Sequence, residues 1–146
     1  MSNSQIATSD ILKIFSRIES TTLIAVLYRP REENTRVDLT SPEEILQAAV
    51  LPFTKATHLS PHKHNPVERQ TVGTSEAWVV IRGSAEIQVF DLDDAVLGTW
   101  LLEQDALAIS LKGGHALTSL QFGTLVYEFK NGPYWGPDVD KVQIPH

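Results

Sequence analysis

From Ile45 onward the chain alternates short apolar segments with turn residues. Leu46 to Phe53, Thr57 to His64, Glu76 to Arg82, Ala85 to Phe90, Val96 to Leu102, Ala106 to Leu111, Ala116 to Phe122 and Thr124 to Lys130 each read as a strand. The breaks between them include Gly83-Ser84, Asp91 to Asp94, Gly113-Gly114 and Gly123, which supply tight turns or positive φ. Many short strands without long helices between them predict an antiparallel sandwich, jelly roll or small barrel, not a doubly wound α/β sheet. Upstream the pattern changes. Ile11, Leu12, Ile14, Phe15 and Ile18 fall at helical spacing, and Ser9 or Asp10 can act as N-cap, so Ser9 to Glu19 reads as one short amphipathic helix. Thr21 to Tyr28, rich in Thr, Ile, Val and Leu and closed by Arg29-Pro30, reads as a strand ending at a sheet edge. Ser41-Pro42-Glu43-Glu44 has the order of a cap, a proline at the first helical position and acidic residues at the positive end of a short helical turn. The tail from Asn131 to Pro137 carries two prolines and two glycines and reads as a packed loop.

Composition narrows the class. A chain of 146 residues fits one domain, and 42% hydrophobic with 21% charged residues is ordinary globular usage. The net charge of −6 repels phosphate backbones and anionic lipid, so neither nucleic acid nor a membrane is expected as a partner. No cysteine is present, which removes disulfides, thiolate catalysis and Cys-ligated metal together. The N-terminus has no basic region followed by an apolar stretch, and runs such as Ile24 to Leu27 or Trp78 to Ile81 are far below a membrane span. A soluble, cytoplasmic protein is the expectation.

Three of the five histidines, His58, His62 and His64, crowd one segment and share a face if it is extended. His62 and His64, one strand period apart, can grip one cation. Glu76 opens a later strand and can add an oxygen ligand, with Trp78 and Val80 following on its face. His115 follows Gly113-Gly114, where a sharp turn can aim its ring inward. A bland reading stands beside each: His-x-His as surface side chains, Glu76 as solvated, His115 as a loop residue. The stretch from Asn65 to Ser75 should border the mouth of any such site; there Arg69 can clamp a carboxylate or phosphate, with Glu68 and Gln70 as further polar contacts. Glu68 is also a rival ligand to Glu76. Glu128 and Lys130 share a strand face and can pair with each other or with Asp140 and Lys141, fixing the tail. Tyr134 and Trp135 can lid a site or pack against a second subunit.

The order His62-Lys63-His64, then Glu76-Ala-Trp-Val-Val-Ile-Arg-Gly83, then His115, resembles the paired motifs of the cupin superfamily. The Glu-to-Gly spacing matches that family, and it is the reason to prefer Glu76 over Glu68. The sequence departs from the pattern at Ala56, Ser110, Lys112 and Ser119, and the His-to-Glu gap is lengthened by Asn65 to Ser75. A narrower resemblance runs from Leu46 to the end. Leu46 to Val50, Pro61-His-Lys-His64, Tyr127-Glu-Phe-Lys-Asn-Gly-Pro-Tyr134 and Asp140-Lys141 are similar to the small WbuC-type cupins found among polysaccharide and sugar biosynthesis proteins.

This resemblance implies an all-β double-stranded β-helix, a jelly-roll barrel over 46–146; residues 1–45 carry no motif of the family and stand as the N-terminal helix and strand extension read from their own pattern. It implies a divalent transition metal (Fe, Mn, Ni, Zn or Co) held by His62, His64, Glu76 and His115, and a small polar substrate of the carbohydrate or nucleotide-sugar kind contacted by Arg69, Gln70 and Tyr134. A metal-dependent isomerase, epimerase or dioxygenase-like enzyme is one expectation; a non-enzymatic sugar-binding or regulatory module, with a structural metal or none, is the other. Metal-free sugar epimerases of the same superfamily use a His–Asp pair and a Tyr instead, and this sequence shows no clear counterpart of that pair. A homodimer is implied as well, with Thr22 to Leu27 as a pairing edge.

Overall fold

Ten strands and one four-residue helix make up the regular structure of residues 11–145, the part of the chain that the computed structural model describes. The strands are β1 (Ile11–Phe15), β2 (Leu23–Tyr28), β3 (Val37–Asp38), β4 (Ala49–Val50), β5 (Glu76–Arg82), β6 (Ala85–Phe90), β7 (Val96–Leu102), β8 (Leu107–Ser110), β9 (Gly114–Ser119) and β10 (Leu125–Lys130); the helix is α1 (Pro137–Asp140). They form three antiparallel sheets, none of them closed: β1-β2-β8-β5-β10, β7-β6-β9 and β3-β4. The fold is therefore all-β.

Side chains alternate across a strand, so the pairing registers sort residues onto two faces of the five-stranded sheet. On the inner face one row runs Leu12, Leu27, Ala108, Trp78, Glu128, and the next runs Ile14, Ala25, Ser110, Glu76, Lys130. Each row is apolar at the β1 end and charged at the β10 end. The apolar part packs with Ala85, Ile87, Val89 and Leu102 of the three-stranded sheet into the larger core. Ile24, Val80, Ile87 and Val89 are fully buried there, each contributing about 1.5–3 kcal/mol from lost water contact. The outer face carries Val26, Tyr28, Ala77 and Ile109, over which Leu39, Leu46, Val50 and their neighbours from the β3–β4 region build a second core.

Buried Asp91 ties two turns together. Its carboxylate accepts hydrogen bonds from Arg17 N at 2.7 Å and Leu92 N at 2.8 Å, while the Arg17 guanidinium donates to the carbonyls of Val96 and Leu97. Hydrogen bonds from Ser16 and from the backbone of Arg17, Leu92 and Ile18 outweigh the opposing effect of burial and hold this carboxyl below its ordinary range.

The strands expected over Glu76 to Arg82, Ala85 to Phe90 and Val96 to Leu102 form with those bounds, those expected over Thr21 to Tyr28, Ala106 to Leu111 and Thr124 to Lys130 form within two residues of theirs, and the one expected over Ala116 to Phe122 forms earlier in the chain, as Gly114–Ser119. Four expectations are corrected. The stretch expected as a helix over Ser9 to Glu19 is strand β1 followed by a turn, as far as it lies within the described residues; Ser9 and Asp10 fall outside them. Ile11 to Phe15 places apolar side chains on both faces, and with β2 alongside, β-branched Ile11 and Ile14 pair into a ladder. Ser16, which could cap a helix, instead accepts from the backbone N–H of Ile18 and Glu19 within that turn. Ser41 to Glu44, by contrast, makes the brief turn expected of it, closed by Glu44 N donating to Ser41 O. Thr57 to His64 forms no strand, and Leu46 to Phe53 contributes only Ala49–Val50. Pro52 and Pro61 remove ladder donors there, and too few apolar side chains alternate to bury one face. Finally, the strand expected to offer a dimer edge is internal: β2 lies between β1 and β8, because its side chains feed both cores.

Candidate functional site

The charged ends of the two inner rows meet His115. Glu76 opens β5 as the partner of Lys130 on β10 and of Ser110 on β8, and Trp78 pairs with Glu128 one step along. After β8 the chain turns at Gly113, whose φ of 63° suits glycine, and enters β9, where His115 pairs with Val89 in the opposite sheet. Its ring thus reaches across to the row that holds Ser110 and Glu76.

The resulting contacts form a continuous network. His115 Nε2 lies 3.1 Å from Glu76 Oε2 and its Nδ1 lies 3.1 Å from Ser110 Oγ. Lys130 Nζ donates to Glu76 Oε1 at 3.1 Å and to Glu128 Oε1 at 2.8 Å. Trp78 Nε1 donates to Glu128 Oε2 at 3.1 Å, and its ring meets that of His115 edge-on with centroids 4.6 Å apart. Lys130 Nζ also stands 5.1 Å from the Tyr134 ring centroid. Glu76 is buried, at 6% exposure, and both its oxygens are engaged.

Burial, with the charge of Lys141 adding to it, holds His115 below its ordinary 6.5 against the pull of Glu76. A neutral ring facing a carboxylate at Nε2 carries its proton there, which leaves Nδ1 as acceptor for the Ser110 hydroxyl. Glu128 is held below its ordinary carboxylate range by the Lys130 ammonium first and the Trp78 indole second, and Lys130 is correspondingly raised.

A cleft of about 390 Å³ opens beside this network. Glu76 and His115 lie on its wall with Phe90 and Gly114, and Tyr134, Lys141 and Ile144 close it from the tail. Ile144 packs so closely on Gly114 that a side chain there would meet its Cδ1.

Of the sequence-derived candidates, Glu76, His115 and Tyr134 are therefore brought to one place. His62 and His64 are neighbours, rings 5.4 Å apart, but on the exposed segment between β4 and β5, where His62 Nδ1 contacts Ser60 O. Arg69 and Gln70 are exposed on the same segment and do not line the cleft; Arg69 donates to Val67 O. Among the described residues no group of three or more His, Asp or Glu is gathered as metal ligands. As they stand, the four residues implied as ligands do not fit one ion: two are apart, and the carboxylate of a third is held by a lysine and by the fourth. Three participants are not marked as such by the sequence: Ser110 reads only as a departure from the family pattern, and Glu128 and Lys130 only as a pair that fixes the tail. The available signal was strand parity: Glu128 and Lys130 share a face, as do Glu76 and Trp78, but which face meets which depends on the register. No helix among the described residues is long and apolar enough to cross a membrane. No family model, curated protein or solved structure matches the chain.

Proposed function

We propose that the chain is a small cupin-type protein with jelly-roll organisation that holds a small polar metabolite, of the carbohydrate or nucleotide-sugar kind, in the cleft beside Glu76 and His115. One observation carries this reading: a buried carboxylate paired with a half-buried imidazole opens on a cleft that Tyr134 and Lys141 also line. Its volume, about 390 Å³, falls in the range of small-molecule sites. Each Glu76 oxygen keeps a lone pair for a ligand hydroxyl, and a neutral His115 becomes a base at Nδ1 when a ligand displaces the Ser110 hydroxyl. Tyr134, which also lines the cleft, supplies a phenol. These are the group types of a metal-free sugar epimerase, with Glu76 in the place of an aspartate.

The non-enzymatic reading is favoured by a different observation. Both ring nitrogens of His115 are already engaged, so in this geometry the ring is a positioned hydrogen-bonding partner and not a free base.

Calorimetric titration with free sugars and nucleotide sugars, for the parent and Glu76→Gln, tests the binding. Saturable binding weakened at least about tenfold in the variant is expected, a desolvated hydrogen bond to a charged group contributing about 1.5–3 kcal/mol. Absence of binding across the panel, or binding that Glu76→Gln leaves unchanged, would sink the proposal. Transfer of solvent deuterium to the bound sugar then separates enzyme from binding module.

A further inference from the structure

The centre of the network is a cation that the protein itself supplies. The Lys130 ammonium stands 3.1 Å from Glu76 Oε1 and 2.8 Å from Glu128 Oε1, with the Tyr134 ring 5.1 Å away. Two carboxylates with an imidazole on the far oxygen of one of them are donor types that suit divalent ions. Here the two carboxylates hold a lysine between them. We propose that Lys130 is the resident cation of this site and keeps divalent metal off Glu76, so that the site works without one.

The sheet builds this arrangement. Lys130 and Glu76 are direct partners in the β10–β5 ladder, and Glu128 is the neighbour of Lys130 on the same strand face. The ammonium is thus delivered by strand register, and no loop needs to move to bring it there. A metal ion would have to separate the ammonium from two carboxylates and turn His115 away from Glu76 Oε2 to free Nε2. His62 and His64, the donors that could repay this, lie on the exposed segment between β4 and β5. The inference concerns the cation alone and stands whether or not the cleft takes a carbohydrate.

The test uses Zn²⁺ by calorimetry and Tb³⁺ by luminescence sensitised through Trp78, whose indole is bonded to Glu128. Both are run on the full chain with His62→Ala and His64→Ala, so that the exposed pair contributes nothing. With Lys130 present, no saturable binding that depends on Glu76 is expected. Lys130→Met should create a site with a dissociation constant of about 10⁻⁴ M or tighter, as for weak carboxylate-built sites, lost again when Glu76→Gln is added. Near-UV circular dichroism checks that the variant is folded. The proposal is overturned by Zn²⁺ or Tb³⁺ binding to the Lys130 protein that Glu76→Gln abolishes, or by a folded Lys130→Met that binds neither ion. If Lys130→Met does not fold, comparing the Lys130 protein with its Glu76→Gln variant decides alone: Glu76-dependent binding overturns the proposal and its absence supports it.

Discussion

Three side chains of the network titrate away from their ordinary values, and their signs combine into one pH profile. His115 is lowered below 6.5 by burial, so the stability its neutral ring confers is complete above that pH and is lost as the pH falls toward the folded value. Glu128 is lowered below 4.5 by Lys130 and Trp78, which adds a second loss at more acid pH. Lys130 is raised above 10.5 by its bonds to Glu128 and Glu76; that contribution is complete below 10.5 and fades as the pH rises beyond it. The midpoint of urea unfolding should therefore be flat and highest between about 6.5 and 10.5. The first acid decline should be smaller in His115→Gln. A midpoint that rises as the parent is taken from neutral to mildly acid pH would show that the ring is charged in the fold, contrary to this account. The sequence named Glu76 and His115 through motif order and spacing. It could not name Ser110 and Lys130 as their partners, since those partnerships are registers between strands up to 54 residues apart.

At the scale of elements, the turn between β8 and β9 is the part that cannot be relaxed. Gly113 holds φ at 63°, and a Cβ there would press on the carbonyl oxygen of Phe90, which is backbone and cannot swing aside. Gly73, at φ 82°, has open space around it. Gly113→Ala should thus lower stability by about 2–4 kcal/mol and Gly73→Ala by about 1 kcal/mol, both measured by urea denaturation. Equal effects would show that backbone conformation alone, and not the close approach to Phe90, sets the cost. Turn chemistry makes most strand boundaries readable, because the glycines and aspartates at Gly83, Asp91 to Asp94, Gly113 and Gly123 mark breaks between strands. β1 was misread because apolar residues at i, i+1, i+3 and i+4 satisfy a helix stripe and a strand with two covered faces equally well; the choice is made by β2 alongside it.

Across the whole molecule, the contrast lies between two sheets with shared cores and the stretch from Leu51 to Thr74, which is almost wholly exposed and has no ladder. Limited trypsin digestion under native conditions should cut first at Lys55, Lys63 or Arg69, while Arg82 inside the five-stranded sheet is spared. A first cut at Arg82 would place the weak point elsewhere. The sequence by itself determined the all-β class, the positions of most strands and the absence of any thiol chemistry, because alternation and turn residues act over a few positions. It also singled out Glu76, His115 and Tyr134. Only the tertiary structure decided that His62 and His64 stay on an exposed segment, that β2 is internal and that a lysine stands at the centre of the site. Those outcomes rest on which strands pair and in what register. That is fixed by burying the apolar ends of both inner rows against the three-stranded sheet, which leaves their charged ends to neutralise one another beside the cleft.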